Sequence, residues 1–223
     1  MENIMVKAYI FDLDGTLADT LESMAYVANT ILQNFGLEPQ PVDKYRYYCG
    51  EGATVLMKRC LLDAGDENLE HLDEGQRIYR EMFAKDPMYK VEHYEGMPET
   101  LKALKEKGMK LGVCSNKPYI AAEKVIEKMF PQMFEIVLGQ REDIPRKPAP
   151  DGALKIAEMF GVKPEECVYV GDTKTDMLTG KAAGMITVGA LWGFRDREEL
   201  LTNGADLIIE KPEELKGIGE KND

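Results

Sequence analysis

Val6-Lys7-Ala8-Tyr9-Ile10-Phe11-Asp12-Leu13-Asp14-Gly15-Thr16 decides the fold. Its first six residues are apolar except Lys7, a continuous run of the kind found in parallel sheets covered on both faces. Two carboxylates follow, then Gly-Thr and the start of a helical pattern. Open α/β sheets place their chemistry outside the carboxyl ends of the strands. On an extended backbone residues two apart share a face, so Asp12 and Asp14 can reach one cavity. Like charges that close repel unless a cation lies between them or one takes a proton. Taken alone, the stretch also reads as a turn with a helix cap, since Asp-Gly favours turns and Asp or Thr caps helices. The rest of the chain decides between the two.

Downstream, Leu21, Met24, Val27, Ala28, Ile31, Leu32 and Phe35 recur at helical spacing, and Gly36 stops the run. Shorter helical patterns cover 42–48, 55–61 and 69–83, and no strand is expected between Thr16 and about Asp86. From Lys90 onward strand and helix alternate. Apolar runs at 110–115, 134–139, 167–172, 186–191 and 206–209 read as strands, and 98–107, 118–130, 150–160 and 175–183 as helices. The organisation is one strand, a helical insert, then βα units. The first strand must join the later ones to be buried, so the insert leaves the sheet directly above Asp12 and Asp14.

The 223 residues carry a net charge of -12. Such a field opposes nucleic acids and anionic membranes as partners. It equally opposes a phosphorylated substrate, so any site for one needs local cations. With only His71 and His93 present, a metal would be held by oxygen, which favours magnesium over zinc. The four cysteines, Cys49, Cys60, Cys114 and Cys167, form no C-x-x-C pair and suit a reducing compartment. No signal-like or membrane-length segment is read, so a cytoplasmic location is expected. The oligomeric state is left open, with a monomer favoured.

The strand ends repeat a polar theme. After the second strand come Ser115-Asn116-Lys117, near the end of the third unit Arg146-Lys147-Pro148, and after the fourth Gly171-Asp172 with Asp176 beyond. Each has an ordinary explanation alone: Ser115 or Asn116 as a helix cap, Lys117 and Lys147 as solvated loop charges, Asp176 as a first-turn acid. A parallel sheet brings all these ends to one edge, and together they form a phosphoryl-transfer site.

In this combination and order the chain resembles the haloacid dehalogenase superfamily from end to end. The matching residues are Asp12 to Thr16, Ser115 in VCSNK, Lys147 in RKPAPD, and Gly171, Asp172 and Asp176 in VGDTKTD. The resemblance implies an α/β fold: a Rossmann-like parallel-sheet core from residues 1–16 and 90–223, with an inserted α-helical cap domain at 17–89. Within the family the chain is similar to phosphoglycolate phosphatases, on Cys49-Gly50-Glu51-Gly52, Tyr94-Glu95-Gly96 and SNKP. The implied activity is magnesium-dependent hydrolysis of a small phosphorylated metabolite through an aspartyl-phosphate. Asp12 is the expected nucleophile, ionised by its reference pKa of about 3.9. Asp14 is the expected acid–base group. Magnesium would be held by Asp12, the Asp14 backbone carbonyl and Asp172. Lys147, Ser115 and the Asn116 backbone N–H would bind the phosphoryl oxygens. Asp176 would orient Lys147 or a metal-bound water, and Thr16 would support the Asp12 loop. The role of Lys117 stays open.

Gly50-Glu51-Gly52 is the expected cap loop facing the site, with Arg46, Lys58 and Arg59 as candidates for a substrate carboxylate. Asp14 separates the chain from true dehalogenases, which lack the second acid, from phosphonate hydrolases with Ala there and from transport ATPases with Thr. A β-phosphoglucomutase-like enzyme, a pyrophosphatase or a nucleotidase remains an alternative. So does an acidic interaction protein that keeps only the fold, against which the full set of Asp12, Asp14, Lys147 and Asp172 argues.

Overall fold

The computed structural model describes residues 5–219. The chain opens with β1 (Ala8–Phe11) and the two-residue β2 (Ala18–Asp19). Helices α1 (Leu21–Asn34), α2 (Tyr45–Tyr48), α3 (Ala53–Asp63) and α4 (Leu72–Lys85) follow. Strand β3 (Glu92–His93) leads into α5 (Met97–Glu106), β4 (Lys110–Pro118), α6 (Tyr119–Met129) and β5 (Ile136–Gln140). The last third holds α7 (Asp151–Phe160), β6 (Cys167–Gly171), α8 (Lys174–Ala182), β7 (Ile186–Ala190), α9 (Arg197–Thr202) and β8 (Leu207–Ile209).

Six strands form one sheet in the order β5-β4-β1-β6-β7-β8, every pair parallel. β1 lies in its interior, with Ala8 opposite both Lys110 and Cys167. Its side chains alternate between two cores. Tyr9 and Phe11 join Leu101, Leu104, Val113 and Val125 on the face covered by α5 and α6. Ala8 and Ile10 join Ile156, Ala157 and Phe160 on the face covered by α7. Both faces being dry, the strand reads as an unbroken apolar run. Full burial of a side chain such as Ile10 contributes about 1.5–3 kcal/mol.

The insert has a third core of its own. Ile31 and Leu32 of α1, Tyr45 of α2, Leu56, Met57 and Leu61 of α3, and Tyr79 and Phe83 of α4 pack together, and Ala121 and Phe194 of the sheet body join them. The insert's two ends are held side by side, because β2 and β3 pair antiparallel with Ala18 opposite His93 and Asp19 opposite Glu92.

The α/β class and the parallel sheet agree with the sequence reading, and differences are local. β2 falls where no strand was expected, since two residues carry no alternation to read. Helix α9 was also not anticipated. β4 runs to Pro118, so Lys117 is buried rather than solvated. All four cysteines are free and buried.

Candidate active site

The site is assembled at the carboxyl ends of β1, β4 and β6, which are neighbours in the sheet. Asp12 directly follows β1 and is buried. The loop before α7 delivers Lys147, whose Nζ lies 2.8 Å from Asp12 Oδ1 and 2.7 Å from Asp176 Oδ1. That loop is fixed by Asn116. The Lys147 N–H donates to Asn116 Oδ1 at 2.9 Å, while Asn116 Nδ2 donates to the Lys147 carbonyl and to the Gly50 carbonyl, each at 3.1 Å. The Asn116 side chain therefore ties β4, the lysine loop and the insert together.

Asp176 is held from the other side. Its Oδ2 accepts hydrogen bonds from the Thr173 N–H at 3.1 Å and the Thr173 hydroxyl at 2.7 Å, a capping box that starts α8. Asp172 follows β6 and has no exposed surface. The Thr16 hydroxyl donates to its Oδ1 and the Phe194 N–H to its Oδ2, both at 2.8 Å. Thr16, expected to support the Asp12 loop, thus ties that loop to Asp172. Gly15 is required here: its φ is +88°, and a Cβ would sit 2.3 Å from Asp172 Oδ2.

Asp12, Asp172 and Asp176 offer oxygens within 4.8 Å of one another. Lys147 is the ammonium among them. Burial, then Asp176, pushes Asp12 up to about 7, although Lys147 pulls the other way. The metal-free carboxyl thus titrates well above its reference value. Burial, then Asp176 and Asp12, holds Asp172 well above the usual carboxylate range, against the hydrogen bonds from Phe194 and Thr16. For Lys147, burial works against the charged form, but Asp12 and Asp176 outweigh it and hold the ammonium above its ordinary range.

Asp12 Oδ1 is buried without an aligned hydrogen-bond donor, the Lys147 contact being an ion pair. An oxygen facing other carboxylates in that condition fits a hard cation. The acidic group contains both carboxylates of the expected ligand set, Asp12 and Asp172. It adds the Asp176 carboxylate, whose oxygens already serve Lys147 and Thr173.

Asp14 is engaged elsewhere. Its Oδ1 accepts from the Thr20 hydroxyl at 2.7 Å and from Lys117 Nζ at 2.8 Å. The Lys117 ammonium also lies 4.7 Å from the centre of the Phe83 ring on α4. Lys117, undecided from sequence, is thus a buried partner of Asp14 beneath the insert. Ser115 Oγ accepts from the Lys117 N–H at 3.2 Å.

Asp12, Asp14, Ser115, Asn116 and Lys117 line one pocket, with Gly50, Gly52, Leu56, Tyr79 and Phe83 of the insert as its wall. Its volume of about 40 Å³ holds a few waters, so the insert stands closed over the carboxylates. The Gly50–Gly52 loop faces the site as expected. Arg46, Lys58 and Arg59 do not line it. Arg46 donates to the Gly193 carbonyl at 3.1 Å, Arg59 pairs with Glu51 at 2.8 Å, and Lys58 is exposed.

Residues 192–195 escaped the sequence reading. Trp192 Nε1 donates to the Thr16 carbonyl at 2.9 Å, and Phe194 reaches Asp172 through its main chain. Arg195 donates to the Arg46 carbonyl and, at 3.3 Å, to the Cys49 carbonyl. This loop clasps the insert to the DxDGT turn. Most of these contacts use a main-chain group on at least one side, which no side-chain pattern announces.

A family model described as haloacid dehalogenase-like hydrolase matches residues 9–190, and the chain belongs to that family of enzymes. It is phosphoglycolate phosphatase-like along its length. It is 32% identical over 211 residues to a phosphoglycolate phosphatase of Aquifex aeolicus, covering 94% of this chain and 95% of the relative. It is 30% identical over 231 residues to one of Escherichia coli (strain K12), covering 94% and 91%. A solved structure from Lactobacillus delbrueckii subsp. bulgaricus, provisionally assigned as a phosphoglycolate phosphatase, gives a TM-score of 0.88 at 29% identity over 96% of this chain and 98% of that one. Among the described residues no helix is long and apolar enough to cross a membrane.

Proposed function

We propose that the protein is a magnesium-dependent phosphatase that hydrolyses small phosphate monoesters, phosphoglycolate-like ones among them, through an aspartyl-phosphate on Asp12. The observation that carries this reading is the meeting of two differently placed acids in one pocket. Asp12 lies against Lys147, and Asp14 lies under the insert against Lys117. The relatives' phosphatase names support the substrate class.

Asp12 and Asp172 with the Asp14 carbonyl would hold the ion, Asp176 completing the acidic surround. When bound, magnesium supplies positive charge that neutralises the phosphoryl dianion and keeps Asp12 ionised. Lys147 Nζ, the Ser115 hydroxyl and the Asn116 N–H hold the phosphoryl oxygens. An Asp12 oxygen bonds to phosphorus as the ester bond breaks, and Asp14 gives its proton to the departing alkoxide. Asp14 then takes a proton from water, which attacks phosphorus and frees Asp12 and inorganic phosphate. Residues 17–89 act as the cap that opens for substrate and shuts out bulk water, while 1–16 and 90–223 form the core. The buried free thiols suit action in the cytoplasm.

The test is a panel of phosphoglycolate, β-glucose 1-phosphate, a nucleoside monophosphate and pyrophosphate, assayed for released phosphate with magnesium and with EDTA. Magnesium-dependent release from monoesters, absent in Asp12→Asn, is expected. Isomerisation of the sugar phosphate without release would favour the mutase. Unchanged release in the variant would overturn covalent catalysis by Asp12.

A further inference from the structure

A second cavity lies at the junction of insert and sheet body. It measures about 590 Å³ and is lined by Arg80 of α4 and by Gln140, Arg141, Glu142 and Arg146 after or at the end of β5. Three guanidinium groups thus face one carboxylate, in a chain whose net charge is -12.

Fold stability does not account for these charges. Arg80 donates to Gln76 Oε1 at 3.1 Å and Thr54 Oγ1 at 3.4 Å, both neutral. Arg146 is exposed, and with the Gln140 amide correctly turned its Nη2 donates to the amide oxygen at 3.2 Å. Among the described residues neither has a carboxylate within ion-pair distance. Arg141 has a loose contact with Asp143 at 3.6 Å and lies 4.9 Å from the Tyr119 ring.

The groove adjoins the catalytic pocket. Both are lined by Ala53 and Pro118. At Gly52 (φ +89°), which lines the catalytic pocket, a Cβ would lie 3.3 Å from the Gln140 side-chain amide and 3.5 Å from Arg146 Nη1, so the arginine rests against the pocket wall. The turned Gln140 amide donates to the Asn116 carbonyl at 3.2 Å. Arg146, Gln140 and Asn116 therefore form a continuous polar track from groove to catalytic centre.

We propose that this groove is a docking site for phosphate dianions, where the phosphoryl group of an incoming monoester is captured before it passes into the catalytic pocket. The inference rests on the phosphatase reading for its role and on the arginines alone for its binding. It answers the electrostatic problem of the whole chain. A dianion is repelled by most of the surface, and a cationic cleft with low-dielectric walls raises association rates by about 10–10³-fold. Arg80 belongs to the insert and Arg141 and Arg146 to the sheet body, so an anion between them also neutralises repulsion across the seam.

Two measurements test it. Steady-state kinetics of a good monoester substrate are compared for wild type, Arg80→Glu and Arg141→Glu across salt concentration, both residues being exposed. Each reversal is expected to lower kcat/KM about threefold to tenfold at low salt, with the loss confined to kcat/KM and fading toward ~1 M salt, where the screening length is about 3 Å. Separately, inorganic phosphate is titrated into 15N-labelled protein. The Arg80, Arg141 and Arg146 Nε–H signals are expected to shift with phosphate and not with equimolar chloride. Arginine signals that stay still overturn the groove as an anion site, whatever the enzyme hydrolyses. Moving signals with salt profiles identical in all three proteins overturn its role in capture. If no monoester is turned over by wild type, the phosphatase reading fails and the titration alone decides the groove.

Discussion

Asp12→Asn separates the chemistry of the site from its stability, and the two should move in opposite directions. In the metal-free protein burial and Asp176 push Asp12 up to about 7, whereas the group titrates at 3.8 when unperturbed. A carboxyl raised on folding keeps its proton longer in the folded state. Its contribution to stability is complete below about pH 4 and is lost as pH rises through about 7. Asn is neutral at every pH and nearly isosteric with the protonated acid. At pH 5 the unfolded wild-type group is mostly ionised and the folded one mostly protonated, a penalty of about 2 kcal/mol that the variant escapes. At pH 8 both are ionised, and the difference of about three pKa units corresponds to ~4 kcal/mol. Urea unfolding in EDTA at the two pH values reads this directly. Asn should stabilise by about 2 and then about 4 kcal/mol while phosphate release falls to background. A variant less stable than wild type at pH 8, or a gain that shrinks as pH rises, would refute the electrostatic account of the carboxylate cluster.

Lys147→Met removes the ammonium from between Asp12 and Asp176, leaving buried acids unpaired. Phosphate release should vanish and urea unfolding at pH 7.5 should show a loss of about 3–5 kcal/mol. Arg195→Ala deletes the hydrogen bonds to the Arg46 and Cys49 carbonyls, so hydrogen exchange at 45–52 should quicken at least tenfold, while global unfolding moves much less. Gly15→Ala drives a methyl group to 2.3 Å from Asp172 Oδ2 in a left-handed backbone, and should lower kcat by ~10²-fold or more by steady-state assay. Lys117→Met takes the charged donor from Asp14 Oδ1. An at least tenfold fall in kcat with a changed pH–rate profile is expected, and rescue by Lys117→Arg is not, because the pocket lacks room for a guanidinium.

The sheet was legible because β1, β4 and β6 are dry on both faces, so Val113, Val168 and Val170 stand in unbroken apolar runs. The chemistry was legible where side chains carry it and a strand end places them: Asp12, Lys147, Asp172 and Asp176 converge on one point. Three kinds of information were not in the pattern. Pairing of β2 with β3 depends on two residues whose partners lie beyond the whole insert. Residues 192–195 act through a backbone N–H, an indole and carbonyl acceptors. The inward turn of Lys117 depends on how far β4 extends, and a lysine before proline is as easily solvated as buried. The upward push on the metal-free Asp12 carboxyl was not legible for a related reason. A reference pKa knows nothing of a second carboxylate that arrives from more than 160 residues away.

The central place of β1 has a consequence for how the protein comes into being. Its hydrogen-bonding neighbours are β4 and β6, so during synthesis the DxDGT segment emerges from the ribosome long before either flank exists. A nascent fragment ending before β6 leaves one edge of β1 unpaired and lacks Asp172 and Asp176. The cluster of Asp12, Asp172 and Asp176 exists only once the final third of the chain has docked.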